Sequence, residues 1–170
     1  MDGVTRKDGA MPEPRSGAGI ERLHLESREQ LFRRFMIEFG GGRQQELCSP
    51  VGHRLLVDES LFRQRRRDAW KIQKGKRAEW LLHMAENIKA PDEIWFRTDP
   101  RSSVDNLCLL SRFDVGRRQL LGCIAVFGRK RGQKLHWNGV TSYAATRKQD
   151  YWEGLRWQQE QPLIYRRENV

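Results

Sequence analysis

The chain has 170 residues, with 32 Lys plus Arg against 22 Asp plus Glu and a formal net charge of +10. This length predicts one domain with a modest core and a tail, and the basic excess points to an anionic partner, nucleic acid above all. Three cysteines without CxxC spacing exclude a disulfide framework and a zinc site of the CxxC type, no apolar run approaches the roughly 20 residues of a membrane span, and the N-terminus lacks a signal-peptide core.

Residues 1–24 are rich in Gly, Pro and charge and predict a flexible arm, with the domain over residues 25–170. Ser27 with Gln30 matches a capping box, and Leu31, Phe32, Phe35, Met36 and Phe39 recur at helical spacing. The run "GGGR" at 40–43 ends this helix. Residues 55–62, "LLVDESLF", predict a short strand and a short helix. A basic stretch at 63–79 follows, with eight basic and two acidic side chains.

A second helix is predicted over about residues 77–89, with Trp80, Leu81, Met84, Ala85 and Ile88 on one stripe. It stops there because Ala90 precedes Pro91, and a residue before proline disfavours the helical region. Strand-like runs follow at 93–98, 106–113, 120–127, 135–143 and 162–167, with hairpin connections at Gly116 and at 128–134. Between the last two runs, Thr146 with Gln149 predicts a helix carrying Tyr151, Trp152 and Leu155. The fold class expected is α+β, N-terminal helices packed on a mostly antiparallel β-sheet.

Residues 101–170 carry a net charge of +7 and residues 1–100 a net +3, so the cations are clustered, as a phosphate-binding face requires. The expected RNA face runs over residues 63–77 and the 129–134 hairpin. Asp92 and Glu93 read either as paired acid/base carboxylates or as turn residues after Pro91. The turn reading is the stronger of the two, since Asp is common in turns for backbone reasons.

The segments "GKRAEWLLHMAENIKAPDEIWF", "LLSRFDV", "IAVF", "WNGVTSY" and "PLIYRRE" occur in this order. Over about residues 51–168 the chain resembles the phage-borne nuclease-like domains grouped with barnase, EndoU, colicin E5/D and RelE, found at the C-terminal end of Mu-type phage head morphogenesis proteins. The resemblance implies metal-independent RNA cleavage by attack of the 2′-OH on phosphorus, without cofactor. It implies RNA, tRNA included, as partner, with an immunity protein or a phage head protein as a further partner and no membrane. The place of action is then the host cytoplasm, as a toxin, or the phage particle. The alternatives are a catalytically silent nucleic-acid-binding module and a phage structural or packaging accessory.

Such cleavage needs a base, an acid and fixed cations. The expected catalytic residues are Arg112, suited to a forked grip on phosphate, Thr141 and His136. His136 is the best placed of four histidines because it shares a run with Thr141, although alternation sets the two on opposite faces unless a bulge intervenes. The substrate-binding residues expected are Arg77, Ser142, Tyr165 and Arg166. Each also has a plain reading: a surface arginine, strand propensity for Thr, a solvated helix end, a core aromatic. No metal site is expected.

Overall fold

In the computed structural model of the chain, the residues described are 12–25, 27–64, 69–74, 76–98, 100–147 and 163–168. Eight strands form one mixed sheet. Its order is β10 (Leu163–Arg166), β6 (Glu93–Thr98), β7 (Val104–Asp114), β8 (Leu120–Lys130), β9 (Trp137–Arg147), β3 (Arg54–Asp58) and β2 (Gln44–Cys48), with β1 (Arg15–Ser16) alongside β7. The pairs are antiparallel except β3 with β9 and β1 with β7. A two-stranded ribbon, β4 (Arg63–Gln64) and β5 (Ala69–Trp70), stands apart. The helices among the described residues are α1 (Arg28–Ile37), α2 (Leu81–Lys89) and a short 3-10 turn, Glu59–Leu61.

The expected order of helices first and sheet after is corrected here. Strands β1 to β5 all precede α2, and β2 and β3 return to extend the sheet beyond β9. β2, "QQELC", has none of the β-branched or aromatic residues that mark a strand, and it forms through its five-residue ladder with β3. The helix expected around Tyr151 and Trp152 lies outside the described residues, as do residues 1–11 of the expected arm. Ser27 is the N-cap of α1, but its side chain makes no capping hydrogen bond. The start of α1 is secured instead by the buried stripe Leu31, Phe32, Phe35 and Met36.

α2 touches β7, β8 and β9 and also α1. Its apolar stripe, Leu81, Met84, Ala85 and Ile88, joins Leu107, Leu109, Leu121, Cys123, Ala125 and Phe127 in one core. Aromatic edges close the core around α1, with Phe35 and Phe62 rings 4.9 Å apart. Two polar residues of α2 are also fully buried. Asn87 Nδ2 donates to the Leu109 carbonyl at 3.2 Å, and Asn87 Oδ1 accepts from Ser111 Oγ at 2.6 Å.

His83, on the same helix, lies between the rings of Trp80 and Phe113 with Nε2 3.2 Å from the Gly17 carbonyl. Burial pushes its imidazole below the ordinary 6.5. The unfolded chain therefore takes up a proton near pH 6.5 that the folded chain refuses. Stability should be level above that pH and fall below it, by at most about 1.4 kcal/mol per pH unit for one such group. Urea midpoints at pH 7.5 and 5.5 check this, and His83→Gln, which cannot titrate, should flatten part of the difference.

Residues 12–25 run along the domain. Gly17 N donates to the Asp114 carbonyl at 2.7 Å, and Leu23 N donates to the Glu79 carbonyl at 3.2 Å. The Arg22 guanidinium lies 4.4 Å from the Trp80 ring centre.

The glycine of "WNGVTSY" has a packing reason. A Cβ on Gly139 would stand 2.7 Å from Leu61 Cγ and 2.9 Å from Ser60 Oγ, and Leu61 is fully buried. The 3-10 turn thus seats directly on β9, held by Asp58, whose Oδ1 accepts from Ser60 N at 2.9 Å. Gly139→Ala is expected to cost about 1–3 kcal/mol through overpacking, read as a lowered urea midpoint.

Candidate functional site

Side chains alternate along a strand, so the sheet has two faces. Ile94, Leu107, Leu109, Cys123 and Ala125 face α2. Trp95, Cys108, Leu110 and Ile124 form a second buried cluster on the opposite face, with Val126, Tyr143, Ala145 and Leu163 packed against it.

The strand register maps this second face. One transverse row runs Tyr143, Ile124, Leu110, Glu93, Arg166, each residue paired with the next across the sheet. A neighbouring row runs Thr141, Val126, Cys108, Trp95, Leu163. On the other side lie Ala145, Gly122 and Arg112. Polar groups therefore ring an apolar floor: Glu93, Arg166 and Arg112 at one end, Tyr143 and Thr141 at the other. The Glu93 carboxylate is fully buried, and its Oε2 lies 3.3 Å from Arg166 Nη2. Arg112 is 4 % exposed, and its Nη2 donates to the Pro12 carbonyl at 2.9 Å.

A bulge in β9 makes this arrangement. Val126 pairs with Thr141 while Phe127 pairs with Gly139, which leaves Val140 as an extra residue. Trp137 and Gly139 face α2, whereas Thr141 and Tyr143 face the other way. Simple alternation places these four residues on one face; the bulge reverses the phase between the pairs. The same reversal turns Ser142 into the core, fully buried, with no hydrogen-bond partner for its Oγ.

The remaining expected site residues lie elsewhere. Tyr165 packs on the α2 side of the sheet. His136 stands just before β9, where its Nε2 is 2.6 Å from Glu46 Oε2, and Glu46 also accepts from Arg54 Nε at 2.7 Å. At about 3.3 Å per residue, His136 is about 16 Å along the strand from Thr141. Five residues apart in sequence, the two do not meet at one phosphate.

Arg77 does reach the second face from outside. Its guanidinium carbon lies 5.8 Å from the Tyr143 ring centre, at the edge of β9. The two side chains wall a cleft of about 330 Å³ that Lys74, Lys76, Trp80 and Thr146 also line. Arg77 is half-buried, and burial lowers the proton affinity of its guanidinium, opposed by Tyr143.

The adjacent acids of "PDEIW" part company. Asp92 precedes β6 and has no exposed surface. Its Oδ1 takes Arg167 Nε at 2.8 Å and Arg15 Nε at 3.3 Å, and its Oδ2 accepts from Arg112 N at 2.9 Å. Asp92 thus ties the N-terminal segment, β7 and the residues after β10 to one carboxylate. Glu93 instead joins the row across the sheet, a role that reading the pair as turn residues does not reveal. The available signal was position: Glu93 opens an apolar strand and lies on the same face as Trp95. Tyr143 lies on this face as well, and the strand run alone gives no signal for it.

Among the described residues no group of three potential metal ligands occurs, and no helix is long and apolar enough to cross a membrane. Comparison with known families gives a match over residues 34–166 to the phage-Barnase-EndoU-ColicinE5/D-RelE like nuclease2 description. No curated protein and no solved structure matches the chain.

Proposed function

Since the chain belongs to the phage-Barnase-EndoU-ColicinE5/D-RelE like nuclease2 family, we propose that it is a ribonuclease whose site is the sheet face opposite α2. The observation that supports this is the pairing of the buried Glu93 with Arg166 at the end of a buried apolar floor. Substrate meets the half-buried Arg166 first and reaches Glu93 when that side chain swings aside; Thr141 and Tyr143, three or more strand steps off, stand too far from Glu93 for the same phosphate.

In this reading the ribose 2′-oxygen attacks the adjacent phosphorus and the bond to the 5′-oxygen breaks, giving a 2′,3′-cyclic phosphate and a 5′-hydroxyl end. Glu93 takes the 2′-OH proton, and the leaving 5′-oxygen is protonated from solvent. Arg166 holds the phosphate oxygens, and the buried charge of Arg112 supports the extra negative charge. We place the base at Glu93 rather than His136 because Glu93 lies beside Arg166 on this face, whereas His136 stands before β9 against Glu46. No step draws on a metal ion. A host-directed toxin acting in the cytoplasm fits this chemistry, with an immunity protein or a phage head protein as its partner.

The experiment is incubation with an RNA carrying one 2′-deoxy position. Cleavage should cease at that position alone and continue elsewhere. Cleavage 3′ to the deoxy nucleotide would overturn the 2′-OH mechanism.

One observation favours a second reading, a nucleic-acid-binding module without catalysis. None of the four histidines lies on this face, and Glu93 already carries an arginine partner. A protein that binds RNA with a steep salt dependence and never cuts it, at any pH and with or without divalent metal, would establish that reading.

A further inference from the structure

The cleft at the edge of β9 carries cations without a matching acid. Lys74, Lys76 and Arg77 line it, and no Asp or Glu does among the described residues. The Arg77 guanidinium is half-buried there, and its polar contact is a 3.5 Å hydrogen bond from Nη1 to the Lys71 carbonyl. Taking a cation partly out of water without a counter-ion is unfavourable, and burial does depress its proton affinity. An arginine kept under these conditions is suited to an anion that arrives from outside. Tyr143 offers an aromatic face and Thr146 a hydroxyl in the same cleft.

We propose that this cleft is a second phosphate subsite, which holds a flanking nucleotide of single-stranded RNA away from the position of cleavage. The proposal rests on the ribonuclease reading and adds a strand path to it. Tyr143 and Glu93 are three inter-strand steps apart, about 14 Å at about 4.8 Å per step, so the two sites take different phosphates of one chain. A volume of about 330 Å³ is at the small end for ligand pockets; it admits one splayed nucleotide and no duplex. A base stacked on Tyr143 with its phosphate on Arg77, Lys74 and Lys76 uses contacts that are tolerant of sequence.

The test reads binding alone, with the full chain and a short fluorescent 2′-O-methyl oligoribonucleotide that cannot be cut by 2′-OH attack. Lys74 and Lys76 are exposed, so the double variant Lys74→Ala/Lys76→Ala should fold as the parent does, and circular dichroism checks this. Its slope of log Kd against log salt should drop by about 1.4, since each lost contact to a single strand removes about 0.7. Arg77→Ala should weaken binding at least tenfold at low salt. Arg33→Ala, an exposed cation on α1, should match the parent. Slopes and affinities of the cleft variants equal to those of Arg33→Ala would overturn the proposal. So would a duplex of the same sequence that binds as tightly as the single strand. A nucleoside monophosphate that binds as tightly as the oligomer would make the cleft a free-nucleotide site and overturn the strand path. Binding with this signature by a protein that never cuts RNA would overturn the nuclease reading and leave the cleft standing; cutting with unaltered cleft variants would do the reverse.

Discussion

Asp92→Ala should lower the unfolding free energy by about 3–5 kcal/mol, a large share of the total for a domain of this size. The carboxylate has no exposed surface, and it is shared by Arg15 and Arg167 while it also accepts from the Arg112 backbone. Removing it leaves two guanidinium groups, each about a fifth exposed, facing a void. Leaving charges buried without their partner accounts for most of such a loss. Asp92 N and O are also bonded, to the Leu110 and Arg167 backbones at 2.9 and 2.7 Å, so local rearrangement to recover solvent is obstructed. Urea denaturation of parent and variant gives the difference directly. A loss under 1 kcal/mol would show that the arginines find other partners or reach water.

Glu93→Gln should lower the cleavage rate by about 100-fold to 10,000-fold, the usual range for loss of a general base. The replacement keeps the shape and an oxygen acceptor for Arg166, so the unfolding free energy should change much less than for Asp92→Ala. This contrast between neighbours separates the two roles: one acid holds the fold, the other serves the face. RNA affinity should hold or rise, because the face loses a negative charge. If Glu93→Gln cuts RNA at the parent rate while remaining folded, the base lies elsewhere, and the His136 and Glu46 pair at the start of β9 becomes the next group to vary.

The parts of the fold legible in the sequence are those with strong periodicity. The stripe from Trp80 to Ile88 and the stop at Pro91 give α2, and the runs at 93–98, 106–113 and 120–127 match β6, β7 and β8 closely. What escapes is whatever depends on pairing. β2 is polar and is a strand only because β3 lies beside it. The bulge at Val140 has no local sequence signature, yet it decides that Thr141 and Tyr143 face away from α2 while Ser142 enters the core. Arg112, Thr141 and Arg166 share a face for reasons of register across five strands, which no single run contains. The acids of "PDEIW" are the plainest case. Their type and order are visible in the sequence, but the opposite uses of Asp92 and Glu93 follow from strand alternation beginning between them.

The central claim is that the face opposite α2 cleaves RNA by 2′-OH attack through Glu93. The most direct measurement is end-group analysis of RNA incubated in EDTA with the parent chain and with Glu93→Gln. The account predicts 2′,3′-cyclic phosphate and 5′-hydroxyl ends from the parent, at a rate the variant loses by about 100-fold or more. Products bearing 5′-phosphate ends, cleavage that requires a divalent metal, or equal rates for parent and variant would contradict it.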